Sequence, residues 1–98
     1  MKLSDCKMTK VVNVNTDVFD VFIGRPSIWG NPFEIGKDGT RKEVIQKYRV
    51  WLNDNESLKS RILELDGKTL GCFCAPKACH GNVIIEMIEI VKREKFWI

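Results

Sequence analysis

Apolar and polar residues alternate in two early segments of the chain, which is the pattern of half-buried β-strands. The segment KVVNVNT, residues 10–16, predicts a first strand, and DVFIG, residues 20–24, predicts a second. The polar residues 15–17 suit the turn between them. A later segment, KTLGCFC at residues 68–74, is almost continuously apolar. It predicts a central strand that is buried on both faces.

Apolar residues recur at helical spacing in the middle and at the end of the chain. Residues 40–53 predict an amphipathic helix, and Thr40 followed by Glu43 predicts a capping box at its start. A second, shorter helix comes next and ends at Gly67, which suits a left-handed helix cap. Residues 82–94 predict a last helix with one apolar face.

The predicted order of elements is β-β-α-α-β-α. This order predicts a small α/β fold in which helices pack on a three-stranded sheet. The 98 residues suit a single domain, 1–98, in which the polar residues 1–9 form a loose tail. We expect the closing residues to pack back onto the domain through Phe96 and Trp97.

Composition and charge narrow the class of protein. Hydrophobic residues make up 44% of the chain and its net charge is +3, which excludes a disordered chain and does not favour a dedicated nucleic-acid binder. The sequence has no apolar run long enough to span a membrane and begins without the apolar stretch of a secretory signal. We therefore predict a cytoplasmic protein with no membrane partner, in which cysteines stay reduced.

The segment GCFCAPKACHG, residues 71–81, concentrates the candidate chemistry. It holds three of the four cysteines and the single histidine of the chain. Cys72 and Cys74 lie two apart on the predicted strand and so share a face. The cluster occupies a strand-to-helix turn at the carboxyl end of a central strand, where open α/β sheets place their ligands. Cys6 stands in the polar tail and is predicted to be incidental.

Three interpretations of the cluster stay open. The first is a zinc site, although the spacing of its ligands is not the usual one; the ligands would be Cys72, Cys74, Cys79 and His80. The second is a reactive thiol, because a helix amino end and an adjacent histidine both lower the pKa of Cys79. The third is burial in the core, since an unpaired cysteine packs as a small hydrophobe. We favour burial for Cys72 and function for the other three residues.

The segment IGRPSIWGNPF, residues 23–33, is the other unusual stretch. Long loops inside compact domains tend to be functional. Arg25 suits a phosphate group and Asn31 offers an amide, while Trp29 and Phe33 offer stacking faces. The two aromatic residues are better explained as core residues. For Arg25 and Asn31 the structural and the functional interpretations are balanced.

Together the two segments resemble an uncharacterised family, a small domain of unknown function found in bacteria and their phages. The motifs that carry the resemblance are Gly24-Arg25-Pro26-Ser27, Trp29-Gly30-Asn31-Pro32-Phe33, Gly71-Cys72-Phe73-Cys74 and Cys79-His80-Gly81. The resemblance covers residues 11–90. The family's usual marks are Gly-Cys-Trp-Cys and Cys-His-Gly. This chain has Phe73 in place of the tryptophan and Asn82 where an aspartate is common, which weakens any mechanism that needs a carboxylate there. The resemblance implies no activity, but it suggests that the two segments form one site.

The leading hypothesis is a pocket at the strand-to-helix turn that binds a nucleotide-like or phosphate-bearing small molecule, with or without catalysis. The predicted ligand-binding residues are Arg25, Asn31, Cys74, Gly81 and Asn82. The candidates for catalysis are Cys79 and His80. Arg25 would bind a phosphate, and the amino end of the last helix would bind a second anionic group.

The alternative hypothesis is a non-enzymatic phage accessory module in the host cytoplasm. Such a module would dock on a host protein or a nucleic acid, and its cysteines and histidine would form a structural zinc site. A third possibility is nucleic-acid binding through scattered lysines such as Lys37, Lys42, Lys47 and Lys77. Most of these lysines are better explained as ordinary solvated residues.

Overall fold

The computed structural model describes residues 8–75 and 77–96, and for residues 95 and 96 it describes only the backbone. The elements, in chain order, are β1 (Lys10–Asn13), β2 (Val21–Phe22), α1 (Arg41–Asp54), α2 (Glu56–Lys59), a 3-10 helix (Ile62–Leu65), β3 (Thr69–Cys72) and α3 (His80–Phe96). The three strands form one parallel sheet in the order β1-β3-β2. The predicted fold class and element order are confirmed.

Strand β3 lies between two strands that precede it in the sequence. It pairs with β1 through Val11 and Leu70, and with β2 through Phe22 and Gly71. The prediction that this strand is central is therefore confirmed. Its residues Leu70 and Cys72 are fully buried.

Strands β1 and β3 are shorter than predicted because Asn13 ends both. Its side chain accepts a hydrogen bond from the Asn15 N–H at 2.8 Å, and its carbonyl accepts one from the Asp17 N–H at 3.0 Å, which turns the chain. The Asn13 amide also donates to the Ala75 carbonyl at 2.8 Å. The chain after Cys72 is thus held by a side chain instead of a strand partner, and Phe73 is 63% exposed.

Helix α1 begins as predicted. The Glu43 N–H donates to the Thr40 hydroxyl at 3.2 Å, and the Thr40 N–H donates to the Glu43 carboxylate at 2.8 Å. These hydrogen bonds from Thr40 lower the pKa of Glu43 below its ordinary value. The buried face of the helix consists of Val44, Tyr48 and Leu52. The capping box therefore sets the register that points Tyr48 into the core.

The predicted second helix is wrong as one continuous element. Asn55 caps a single α-helical turn by accepting the Leu58 N–H at 3.2 Å, and the chain then tightens when the Arg61 N–H donates to the Leu58 carbonyl. Leu58, Ile62 and Leu65 are still buried, so the apolar spacing persists through the break. Gly67 follows with a φ of +77°, which fits the predicted left-handed stop.

One core lies between the sheet and the helices. Its buried members are Ile23, Trp29, Tyr48, Leu52, Leu58, Ile62, Leu65, Leu70, Cys72, Ala75, Cys79, Val83, Ile84, Met87, Ile88 and Val91. Trp29 is 4% exposed, which confirms that this aromatic residue belongs to the core. The long loop therefore enters the core through Trp29 and does not simply cover it.

Aromatic rings cover the other face of the sheet. Phe19 packs on the backbone of Gly71, where an added Cβ would lie 2.6 Å from the ring. The ring centroids of Phe19 and Phe22 are 6.4 Å apart, and those of Phe22 and Phe73 are 5.7 Å apart. The connection between β1 and β2 therefore supplies part of the cover that a helix gives in larger parallel sheets.

Several expectations concern the chain ends. Cys6, most of the predicted tail and Trp97 lie outside the described residues, as does the side chain of Phe96. Within the predicted tail, the Thr9 hydroxyl accepts a hydrogen bond from the Gly67 N–H at 2.7 Å. None of the helices within residues 8–75 and 77–96 is long and apolar enough to cross a membrane.

Gly81 allows α3 to approach β1 closely. A Cβ at this position would lie 2.7 Å from Val11 Cγ2 and 3.0 Å from Ile23 Cδ1. We expect Gly81→Ala to lower the free energy of unfolding by about 1–2 kcal/mol, because overpacking a core forces side chains from their rotamers. Urea denaturation measures this change. Adding Val11→Ala should recover part of the loss, and no recovery in the double variant would contradict this explanation.

Candidate ligand-binding site

A cavity of about 450 Å³ lies at the carboxyl end of β3. Of the predicted site residues, its lining includes Arg25, Asn31, Cys72, Cys74, Cys79 and His80. The long loop and the cysteine cluster thus meet at one cavity, as the resemblance suggested. Gly81 and Asn82 do not belong to the lining.

Cys79 begins α3 as its N-cap residue. The Gly81 N–H donates to the Cys79 sulfur at 3.3 Å, and the Cys79 N–H donates to Asn82 Oδ1 at 3.1 Å. This resembles a capping box, except that a thiol replaces the hydroxyl and accepts from the second N–H of the helix instead of the third. It explains why α3 begins at His80, two residues before its predicted start. The Asn82 amide supplies the acceptor that an aspartate would supply, so its presence does not change the helix start.

Gly81 and Asn82 each make a structural contact at the start of α3. Gly81 is buried between α3 and β1, and the Asn82 side chain serves the backbone of the helix start. The sequence placed both at a ligand, at the amino end of the last helix, which was expected to bind an anionic group. The signal for the capping role was available in the spacing of three between Cys79 and Asn82.

Cys72 and Cys79 form the sulfur pair of the cavity. Their Sγ atoms are 3.4 Å apart and both residues are buried. Cys74, which follows the end of β3, is only half-buried. The sequence favoured Cys74 over Cys72 as the functional partner of Cys79; the direct sulfur contact involves Cys72.

The Cys79 thiol is protonated at neutral pH. Burial raises its pKa to about 12; the Gly81 N–H opposes this shift, and the neighbouring Cys72 adds to it. The net shift is opposite to the predicted one, because desolvation outweighs the effect of the N–H at the helix end. The imidazole of His80 binds a backbone carbonyl instead of the thiol.

Thiol alkylation checks this assignment in a Cys6→Ser background. At pH 7.5 we expect Cys74 to react with iodoacetamide at least about tenfold faster than Cys79, because the thiolate is the nucleophile and Cys79 is buried and protonated. Peptide mass spectrometry over a time course identifies the modified residue. The same reaction in 6 M guanidinium chloride serves as the control, where all thiols should react alike. Cys79 reacting first in the folded protein would refute the assignment.

His80 is a buried, neutral side chain at the base of the cavity. Its Nε2 lies 2.6 Å from the Ile23 carbonyl oxygen, and a carbonyl can only accept, so Nε2 carries the proton. Burial lowers the pKa of His80; the bond to Ile23 opposes this shift, and the nearby Arg25 guanidinium adds to it. In this neutral form Nδ1 is a hydrogen-bond acceptor. Within the described residues Nδ1 has no hydrogen-bond partner.

Tyr48 holds His80 and the long loop in place. Its hydroxyl donates to the Trp29 carbonyl at 2.8 Å, and its ring meets the His80 ring edge-on with centroids 5.1 Å apart. Burial raises the pKa of Tyr48 well above its ordinary value, so the hydroxyl remains a donor. Sequence reasoning assigned Tyr48 only to the apolar face of its helix and missed this role.

The chain has a single histidine, so NMR can follow His80 without ambiguity. We expect its pKa to lie below the value of about 6.5 that an exposed imidazole shows. Between these two pKa values the unfolded state binds a proton at His80 and the folded state does not. The free energy of unfolding therefore falls as the pH drops from 6.5 towards the folded pKa. The imidazole signals in a titration from pH 8 to 4.5 measure the shift, and the denatured protein is the control. A pKa at or above 6.5 would contradict the buried neutral assignment.

Two arginines line the cavity. Arg25 Nη1 lies 3.6 Å from the Glu34 carboxylate, and both side chains are about half exposed. Arg41, the first residue of α1, donates from Nη1 to the Ala78 carbonyl at 3.0 Å. Glu34 also lines the cavity, so the lining carries a net positive charge. Sequence reasoning missed Arg41, whose only signal was a cation at a helix amino end, where the helix dipole disfavours it.

Asn31 makes two hydrogen bonds that stabilise the loop. Its Oδ1 accepts the Phe33 N–H at 2.9 Å, and its Nδ2 donates to the Val44 carbonyl at 3.2 Å. These bonds fix Phe33, which is half-buried and lines the cavity below the Lys47 ammonium group. Asn31 thus lines the cavity and also holds the neighbouring Phe33 in its wall.

The zinc interpretation meets a geometric restriction. Among residues 8–75 and 77–96, no three His, Cys, Asp or Glu side chains are grouped closely enough to hold a metal ion. Cys72 and Cys79 are close to each other, but the Cys79 sulfur and His80 Nε2 already take part in hydrogen bonds to the backbone.

Fold and site together define a small α/β domain with a cavity of cysteines, a histidine and arginines at the end of its central strand. The chain belongs to a family described as a domain of unknown function, DUF4326, which matches residues 6–90. This confirms the resemblance to an uncharacterised domain family.

Two viral relatives accompany this family match. The chain is 34% identical over 95 residues to the "uncharacterized 12.4 kDa protein in nrdA-td intergenic region" of Enterobacteria phage T4, with 92% of this chain and 86% of the phage protein covered. It is 32% identical over 95 residues to an uncharacterized protein of Acanthamoeba polyphaga mimivirus, with 79% of this chain and 72% of that protein covered. No solved structure matches the chain.

Proposed function

We propose that the cavity binds a nucleotide-like small molecule and that Arg25 and Arg41 bind its phosphate group. The observation that carries this proposal is the meeting of two arginines with a buried, neutral histidine at one cavity. A cavity of about 450 Å³ lies within the range of about 300–1,000 Å³ that is usual for sites of small ligands.

The charge of the lining supports an anionic ligand. Arg25 and Arg41 come from different elements, and each presents a planar guanidinium that pairs with phosphate oxygens. Glu34 holds Arg25 loosely at 3.6 Å, with both side chains exposed, and exposed ion pairs of this kind contribute little energy. A phosphate can therefore replace the Glu34 carboxylate as the partner of Arg25.

The apolar part of the lining supports a base or a similar flat group. Phe33 and Phe73 line the cavity together with Val44 and Ile45. Aromatic side chains stack on bases without requiring a particular sequence of hydrogen bonds. Phe73 is 63% exposed, and an exposed ring beside a cavity gains contact area when a ligand covers it.

The base of the cavity sets the chemistry available to a bound ligand. His80 presents Nδ1 as a hydrogen-bond acceptor for a ligand hydroxyl or a water molecule. The Cys79 thiol is a weak hydrogen-bond donor as long as it stays protonated. In a catalytic version of the proposal His80 is therefore the proton acceptor, and Cys79 contacts the ligand without attacking it.

The test compares Arg25→Ala with Arg61→Ala, because both arginines are about half exposed and paired with a glutamate three or more residues away. Isothermal titration with AMP, GMP, CMP and UMP identifies the nucleotide that binds. We expect Arg25→Ala to weaken that binding at least about tenfold through loss of a charge-assisted contact. Arg61→Ala, which lies outside the cavity lining, should bind like the parent protein.

Circular dichroism and urea denaturation must show that both variants fold. A folded Arg25→Ala protein with the affinity of the parent would refute the role of Arg25. Absence of binding to the parent protein by all four nucleotides, and by diphosphate conjugates of the same nucleosides, would refute the proposed ligand class.

The second candidate is a non-enzymatic module with a structural zinc site, and the Cys72 and Cys79 sulfurs, 3.4 Å apart, would supply two of its four ligands. Zinc binding to such a site would contribute to folding directly. This version expects about one zinc per chain in protein purified under reducing conditions and a lower melting temperature after EDTA treatment. A melting temperature unchanged by EDTA, with the parent and Cys72→Ala proteins compared, would rule this candidate out.

A further inference from the structure

A second cavity of about 550 Å³ adjoins the first. The two cavities share Arg41, Ile45 and Ala78 as lining residues. The second cavity follows the outer face of the first two turns of α1 and is lined in addition by Lys42, Gln46 and Arg49. Arg41 therefore stands at the boundary between two spaces of similar size.

The second cavity is cationic. Its lining contains three basic side chains and no acidic one. Arg49 is already bound to the Glu86 carboxylate by hydrogen bonds of 3.0 and 2.9 Å. Arg41 gives Nη1 to the Ala78 carbonyl, and Lys42 has no carboxylate partner among the residues that the structure describes. Arg41 and Lys42 are thus the cations available to a ligand.

The position of these two cations is unfavourable for α1 by itself. Positive side chains in the first turn of a helix oppose the helix dipole and cost a little stability. The sequence places Arg41 and Lys42 there directly after the capping residue Thr40. A local conflict of this kind is expected at a functional site, and here it coincides with the shared wall of two cavities.

We propose that the ligand has two parts joined by a diphosphate. Its nucleoside half occupies the first cavity, the diphosphate lies at Arg41, and the second half extends along α1 past Lys42. This inference rests on the proposed function and narrows the ligand class to nucleoside diphosphate conjugates.

The charge of the chain favours a small molecule over a polymer. The net charge is only +3, and Arg25, Arg41, Lys42 and Arg49 are gathered at these two cavities. A protein that tracks a nucleic-acid backbone concentrates more positive charge along its surface. Two adjoining cavities suit a ligand with two compact halves.

The experiment compares each nucleoside monophosphate with a diphosphate conjugate of the same nucleoside. The matched probes are AMP with ADP-ribose, GMP with GDP-mannose, CMP with CDP-choline and UMP with UDP-glucose. Isothermal titration is performed on the parent protein, on Lys42→Ala and on Lys59→Ala. Lys59 is the control because it bonds to Asn53 on a different surface and lines neither cavity.

We expect one conjugate to bind at least about tenfold more tightly than its monophosphate, since it adds charge-assisted contacts to Arg41 and Lys42. Lys42→Ala should reduce this advantage while leaving binding of the monophosphate unchanged, and Lys59→Ala should change neither. This pattern supports the two-part ligand.

Equal affinity for monophosphate and conjugate would overturn the two-part ligand and leave the proposed function standing. Absence of binding by either class would overturn both. A 10-nucleotide single strand that binds more tightly than every conjugate, with an affinity that falls steeply with salt, would overturn the assignment to a small molecule.

Discussion

Two buried hydrogen bonds from side chains to loop carbonyls hold this site together. His80 donates to the carbonyl of Ile23, and Tyr48 donates to that of Trp29, so helices α3 and α1 each hold one end of the same loop segment. A buried carbonyl without a donor costs about 1–3 kcal/mol, which makes both bonds strong constraints. The edge-on contact between the two rings links the donors to each other. Arg25 lies in the sequence between Ile23 and Trp29, whose carbonyls are held by these two bonds. The bonds therefore keep Arg25 at the cavity.

The parts of the fold that depend on local sequence were predictable. Thr40 and Glu43 lie three residues apart and start α1 as a capping box, and the apolar run around Leu70 marks the central strand. The ends of strands were less predictable, because Asn13 stops β1 through turn bonds and holds the chain beyond β3 across a large sequence distance. Such bonds join residues that no local pattern relates.

The candidate site shows the same division. Sequence clustering correctly drew attention to residues 71–81, but it could not separate the chemical roles of neighbours. Cys79 and His80 are adjacent, yet Cys79 caps a helix and His80 donates a hydrogen bond to the Ile23 carbonyl. The sequence hardly indicates a role for Arg41, because this residue reaches the cavity only through the position of α1 in the fold. Burial also raises the pKa of Cys79, whereas the sequence predicted a lower one, and burial is a property of the whole fold.

The strand order β1-β3-β2 has a consequence for how the protein folds during its synthesis. The two outer strands are synthesised first and do not pair with each other, so they stay without sheet partners until residues 69–72 arrive. Non-local pairing of this kind delays folding until late in the chain. The sheet of the nascent domain therefore cannot form while the long loop is being synthesised. It forms only after β3 and the cysteine cluster have left the ribosome. Loop and cysteine cluster then become ordered in the same event.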